Sequence, residues 1–136
     1  MEPKYIFVYG LLKSMYHNDP AKFVRKNCSF IGEASIPGKL FDLGTYPGAI
    51  YDEKSSSKVH GEIFQIIKNE TELTHFLDEF EGVGSHFKQP NEYVRVSIPV
   101  KTATSIIEAS TYLYNWNLEG LKVIDSGRYE NEKGNR

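Results

Sequence analysis

At 136 residues, with 40% apolar and 25% charged side chains, the chain is the size of one domain and can bury a core without metal or disulfide staples. A formal net charge of -2 gives no electrostatic case for nucleic acid or an anionic membrane surface as a partner. The single cysteine, Cys28, rules out an internal disulfide and fits a reducing compartment, so a cytoplasmic location is expected. No segment reaches the roughly 20 apolar residues of a membrane span, and the N-terminus reads without a basic leader or cleavage site.

Residues 4–9 (KYIFVY) form an apolar, β-branched and aromatic run, as expected of a strand buried on both faces. The run stops at Tyr9-Gly10 and passes directly into Leu11, Leu12 and Lys13. A turn of this kind either serves packing alone or presents backbone N–H groups to an anionic ligand. Lys13 carries no assigned role. Within 14–27, NDPAKFVRKN suits a short helix with Asp19 as cap and Pro20 in the first turn. Strands are predicted at 29–36, 38–43, 48–51 and 57–67, separated by Pro37-Gly38, Gly44, Pro47-Gly48 and the polar loop DEKSSSK. The strongest helix covers 69–81, with Asn69 as cap, Glu72 as capping-box partner, and Leu73, Phe76, Leu77 and Phe80 as a buried stripe. Strands at 92–101 and 108–116 alternate like a half-buried sheet. With no repeat and no linker, residues 1–130 read as a single domain and 131–136 as a polar tail. The expected fold class is α+β: a small mixed, barrel-like β-sheet with one or two short helices.

One charge on the second helix stands out. Glu81 lies four residues after Leu77 and eight after Leu73, on the flank of the buried stripe, whereas Asp78 and Glu79 read as ordinary solvated charges. Desolvation and acidic neighbours both raise a carboxyl pKa, which suits a general base or acid working near neutral pH. The bland alternative is a glutamate reaching water beside Gly82, the helix stop. Other chemistry is poorly supported. His17, His60, His75 and His86 lack metal-ligand spacing, and His60 fits a strand position ahead of a glycine needed for close packing. No serine sits in a G-x-S-x-G elbow, and YGLLK is too short for a phosphate-binding P-loop, so neither metal nor cofactor is expected. Tyr93 and Arg95, and likewise Tyr112, Tyr114 and Trp116, recur at period two and share a face. They serve either as sheet cover or as the polar wall of a ligand cavity.

The segments FVYGLLK, LGTYPGAI, VHGEIFQI, LDEFEG, YVRVSIPV and YLYNW…LEGLKVIDSGRYE, in that order between about residues 4 and 130, resemble the gamma-glutamylcyclotransferase-like superfamily, in particular its gamma-glutamylaminecyclotransferase branch and small bacterial and archaeal relatives. The resemblance implies a compact barrel-like α+β fold with a cavity at its mouth. It implies substrate binding by backbone amides of the Tyr9, Gly10, Leu11 and Leu12 turn, and acid/base catalysis by Glu81. Leu11 stands where the family pattern has Thr or Ser; amide donation survives that change and a hydroxyl contact does not. The implied partner is a small gamma-glutamyl molecule, converted to 5-oxoproline and an amine. Arg95 and Tyr112 are further candidates, Arg95 for the substrate carboxylate and Tyr112 for the pocket wall. A non-catalytic or differently catalytic small-molecule-binding domain using the same cavity is the alternative.

Overall fold

The computed structural model describes residues 4–130, so the 131–136 tail lies outside the described residues. The elements are β1 (Tyr5–Val8), α1 (Asp19–Asn27), β2 (Cys28–Asp42), β3 (Pro47–Tyr51), β4 (Lys58–Ile66), α2 (Glu70–Glu81), β5 (Tyr93–Lys101), β6 (Ile106–Tyr114) and β7 (Lys122–Val123). Among the described residues no helix is long and apolar enough to cross a membrane.

Five strands close on themselves in the order β2-β4-β1-β6-β5, with Ser35 of β2 meeting Lys101 of β5 to complete the ring. Every pairing is antiparallel except β1 with β6, so the sheet is mixed, and the α+β barrel-like expectation holds. β1 is buried on both faces, as its unbroken apolar run requires. Phe7 and Tyr9 point into one core with Ile36, Leu40, Val59, Ile63 and Val100. Ile6 and Val8 point into a second core with Leu12, Val24, Phe64, Leu73 and Leu77, which glues the helices to the sheet. Burying each such side chain contributes about 1.5–3 kcal/mol.

Gly61 of β4 has no room for a side chain: a Cβ there would run into the Val8 carbonyl oxygen and lie 2.9 Å from the Phe7 ring. The close packing expected beside His60 is therefore real, and His60 itself is a strand residue whose N–H donates to the Gly127 carbonyl (2.7 Å).

Several sequence expectations need correction. The two strands expected at 29–36 and 38–43 are one, β2. Pro37-Gly38 marks not a turn but a change of partner: residues up to Pro37 pair with β4, and those from Gly38 onward pair with β3. The cap of α1 is Asn18, not Asp19; its Oδ1 accepts from the Ala21 N–H at 2.8 Å. Asn69 precedes α2 in a left-handed conformation (φ 56°) without a side-chain cap. Its amide instead donates to Asn27 Oδ1 (2.9 Å), tying the start of α2 to the end of α1. The α2 stripe is narrower than its spacing suggested. Leu73 and Leu77 are buried, while Phe76 stacks on Phe23 of α1 at 4.8 Å and, with Phe80, keeps a face in solvent.

Candidate active site

α2 ends where it does because Gly82 adopts φ 71°, a left-handed conformation that glycine reaches at little cost. The Val83 N–H then reaches back to the Asp78 carbonyl (2.8 Å) and the Gly82 N–H to the Glu79 carbonyl (3.3 Å), the paired bonds of a Schellman stop. Glu81 is thereby the last helical residue, at the negative end of the helix dipole.

Beside this helix end lies a cavity of about 390 Å³. Its walls include the Tyr9–Leu12 turn after β1, Tyr46 and Pro47 at the start of β3, Glu79 to Gly82 of the helix end, Phe87 of the following loop, Glu92 and Tyr93 entering β5, and Thr111 and Tyr112 of β6. The turn and Glu81, about 70 residues apart in sequence, thus face the same space. Among the described residues the N–H groups of Gly10, Leu11 and Leu12 have no protein acceptor, whereas the Lys13 N–H closes the turn on the Gly10 carbonyl (3.1 Å). Gly10 is required by packing as well as by access, since a Cβ would lie 2.7 Å from the Pro47 ring. Lys13 is turned away, its Nζ donating to the Tyr129 carbonyl at 2.6 Å.

The walls are held by tyrosine hydroxyls. Tyr9 Oη donates to the Tyr112 carbonyl (2.6 Å) and accepts from the Ala49 N–H (3.2 Å), joining β1 to β6 and β3. Tyr93 Oη donates to the Pro47 carbonyl (2.6 Å). Tyr46 Oη donates to Glu92 Oε2 (2.8 Å). Burial pushes the phenol pKa values of Tyr9 and Tyr93 well up, and that of Tyr46 to about 12 with help from the bond to Glu92. These hydroxyls therefore stay protonated donors.

The cavity carries three carboxyl groups, Glu79, Glu81 and Glu92, and no Lys, Arg or His among its lining residues. Loss of water around Glu81, reinforced by the charge of Glu92, raises its pKa to about 8. The raised pKa expected from sequence is present, but its charged neighbour is different. Glu92, unremarked in the sequence, supplies the repulsion; Asp78 does not.

Asp78 is not the solvated charge its position suggested. Its Oδ1 accepts from Tyr112 Oη (2.6 Å) and Arg95 Nε (2.9 Å), and its Oδ2 from Arg95 Nη2 (3.3 Å). Arg95 is consequently engaged outside the main cavity, beside a small void lined by Ile6, Leu73 and Leu77, while Tyr112 lines both spaces. Tyr93 faces Tyr114 and Arg95 faces Tyr112 across β5 and β6, so the shared face read from period two exists. Tyr46, Phe87 and Glu92 also wall the cavity, and the sequence carries no signal for them. Each sits in a loop or at a strand edge, where no periodicity marks a residue as cavity wall. Among the described residues no group of three His, Cys, Asp or Glu side chains could hold a metal ion.

Comparison with curated proteins finds no match. Among solved structures, the chain is similar to YkqA from Bacillus subtilis (24% identity, TM-score 0.68), covering 94% of this chain but only 40% of that one. It is also similar to ytfP from Escherichia coli (29% identity, TM-score 0.63; 95% of this chain and 98% of that one). An aig2-like protein from Mus musculus shares the fold at 22% identity and TM-score 0.61, with 98% and 99% of the two chains covered. The family model described as gamma-glutamyl cyclotransferase, AIG2-like, matches residues 6–131. With this match spanning nearly its whole length, the chain belongs to the gamma-glutamyl cyclotransferase, AIG2-like family.

Proposed function

We propose that the protein cyclises gamma-glutamyl amides, releasing 5-oxoproline and an amine, with Glu81 moving the proton. The observation that carries this reading is the placement of Glu81, its pKa raised to about 8, on the same cavity as the unpartnered amides of the Gly10–Leu12 turn.

The substrate brings its own nucleophile. Its α-amine forms a bond to the γ-carbonyl carbon, the bond from that carbon to the leaving nitrogen breaks, and no water is consumed. Holding the tethered amine against the carbonyl is mainly a matter of orientation, and such preorganisation can supply several kcal/mol of the barrier. The attacking amine loses a proton and the leaving nitrogen gains one. Glu81 can accept the first and deliver the second, because a carboxyl titrating near 8 does both at neutral pH. The turn amides suit the substrate α-carboxylate or the developing oxyanion, and Glu92 can accept a hydrogen bond from the neutral α-amine that attacks. Leu11 offers an amide and no hydroxyl at this contact, so any substrate preference that depends on a hydroxyl there is absent.

The test is 5-oxoproline release from a panel of gamma-glutamyl amino acids and gamma-glutamyl-ε-lysine, compared with Glu81→Gln. Turnover lost in Glu81→Gln supports the proposal. Turnover no higher than that of Glu81→Gln across the panel contradicts it and leaves a binding role for the cavity. Because Glu81 must be ionised to accept a proton, kcat/KM should also rise with pH up to about 8 and then level. A rise centred near the ordinary carboxyl value of 4.5 would contradict that assignment.

A further inference from the structure

Among the described residues the Glu81 side chain makes no hydrogen bond and no ion pair, so its aim into the cavity is set by the helix end that carries it. Three contacts hold that end: the Schellman bonds at Gly82 and Val83, the pairing of Glu79 with His86 of the following loop (2.7 Å), and the carboxylate of Asp78 three residues before Glu81, which alone of the three reaches the sheet. We propose that Asp78 is a positioning residue, gripped by Arg95 of β5 and Tyr112 of β6 so that the last turn of α2 is fixed against the sheet with Glu81 facing the cavity. This rests on the reading of Glu81 as the proton-transfer group.

The geometry is that of an orienting clamp more than of a stabilising ion pair. Arg95 meets Asp78 through two nitrogens, at 2.9 and 3.3 Å, and Tyr112 adds a bond at 2.6 Å from a neighbouring direction. The Arg95 and Asp78 side chains are 43% and 20% exposed, a setting in which solvent screens an ion pair and leaves it little stabilising effect of its own. Arg95 and Tyr112 stand directly opposite one another in the β5–β6 register, so the two grips share one rigid piece of sheet. The Tyr112 carbonyl also accepts from Tyr9 Oη, so the residue that holds Asp78 anchors the start of the amide turn as well. A chain of contacts Arg95–Asp78–Tyr112–Tyr9 therefore sets both halves of the site relative to each other.

The test follows the protonation midpoint of the Glu81 carboxyl by isotope-edited NMR, assigned with Glu81→Gln, and needs no turnover. The charge acting on Glu81 is that of Glu92, entering β5, with the phenols of Tyr9, Tyr46, Tyr93 and Tyr112 around it; the carboxylates on its own helix are taken up elsewhere, Asp78 by Arg95 and Glu79 by His86. The unaltered protein should titrate near 8, and a midpoint near 4.5 would overturn the proposal. In Arg95→Met, loss of a positive charge alone would move the midpoint up, whereas a carboxylate released toward water moves it down. A fall of about one pH unit or more is expected; an unchanged or higher midpoint overturns the proposal. Tyr112→Phe alters no charge at neutral pH and should move the midpoint the same way by less. It carries the test if Arg95→Met does not fold, and no movement then overturns the proposal. In turnover, Asp78→Asn should lower kcat by about tenfold or more with KM within about twofold, and Arg95→Lys should recover part of what Arg95→Met loses. A raised KM at unchanged kcat would instead mean direct substrate contact and overturn the positioning role. Absence of 5-oxoproline from the unaltered protein would count against the proposed function alone.

Discussion

The Glu81 carboxyl ionises against three disadvantages: little water around it, Glu92 facing it, and the negative end of the α2 dipole behind it. That arrangement has a stability consequence. The folded protein keeps the Glu81 proton up to about 8, while an unfolded chain releases it near 4.5, so stability contributed by the neutral carboxyl is lost as pH rises across that window. Glu81→Gln, which is neutral at every pH, should therefore unfold later than the unaltered protein at pH 8, by on the order of 1–3 kcal/mol, and about equally at pH 4. Thermal unfolding at the two pH values measures this; an equal difference at both would contradict the buried-carboxyl reading. The sequence disclosed Glu81 because its spacing from Leu73 and Leu77 marks a boundary position. It did not disclose Glu92 or the partners of Asp78. Those depend on β5 and β6 closing over that flank of the helix, which no local pattern records.

At the scale of elements, the end of α2 is as important as its residues. The φ of 71° at Gly82 is what lets Val83 and Gly82 bond back to Asp78 and Glu79, and a Cβ on Gly82 would meet nothing within 4 Å. Gly82→Ala therefore suffers from backbone conformation alone and should cost about 1 kcal/mol, with Gly82→Asn costing less because asparagine tolerates the left-handed region. Denaturant unfolding checks it; equal losses for the two variants would show that the conformation is not the cause. The helix stop at Gly82 and the strands near 57–67, 92–101 and 108–116 were legible because their signals are local. The start of α2 was legible in position, with Asn69 just before Glu70, but not in how it is held. Asn69 has the residue type of a cap, but the nearby Asn27 carboxamide takes its side chain instead. In the same way Pro37-Gly38, read as a break, is where β2 exchanges β4 for β3, a distinction made only by the partner strands.

For the molecule as a whole, the site exists because a closed ring of five strands brings the end of β1, the entry to β5 and the end of α2 to one cavity. β1 is the critical member, since it carries the amide turn and lies between β4 and β6. Its closeness to β4 depends on Gly61. Gly61→Ala would push a methyl group into the Val8 carbonyl and the Phe7 ring, costing about 1–3 kcal/mol. It should also lower turnover by shifting the turn that follows Val8. Loss of neither stability nor turnover would show that the strand spacing is not limiting. Fold class was legible from strand number, helix content and the both-face burial of residues 4–9. The juxtaposition of the turn with Glu81 was legible only through family resemblance, because ring closure rests on long-range pairings such as Ser35 with Lys101.

The most direct measurement of what this cavity does is 5-oxoproline production by purified protein from gamma-glutamyl amides, run beside Glu81→Gln at equal folded concentration. The expected result is turnover by the unaltered protein that falls by about 100-fold or more in Glu81→Gln, the range for removal of a general acid–base group. Equal product from both proteins, or none from the unaltered one, would contradict catalysis by Glu81.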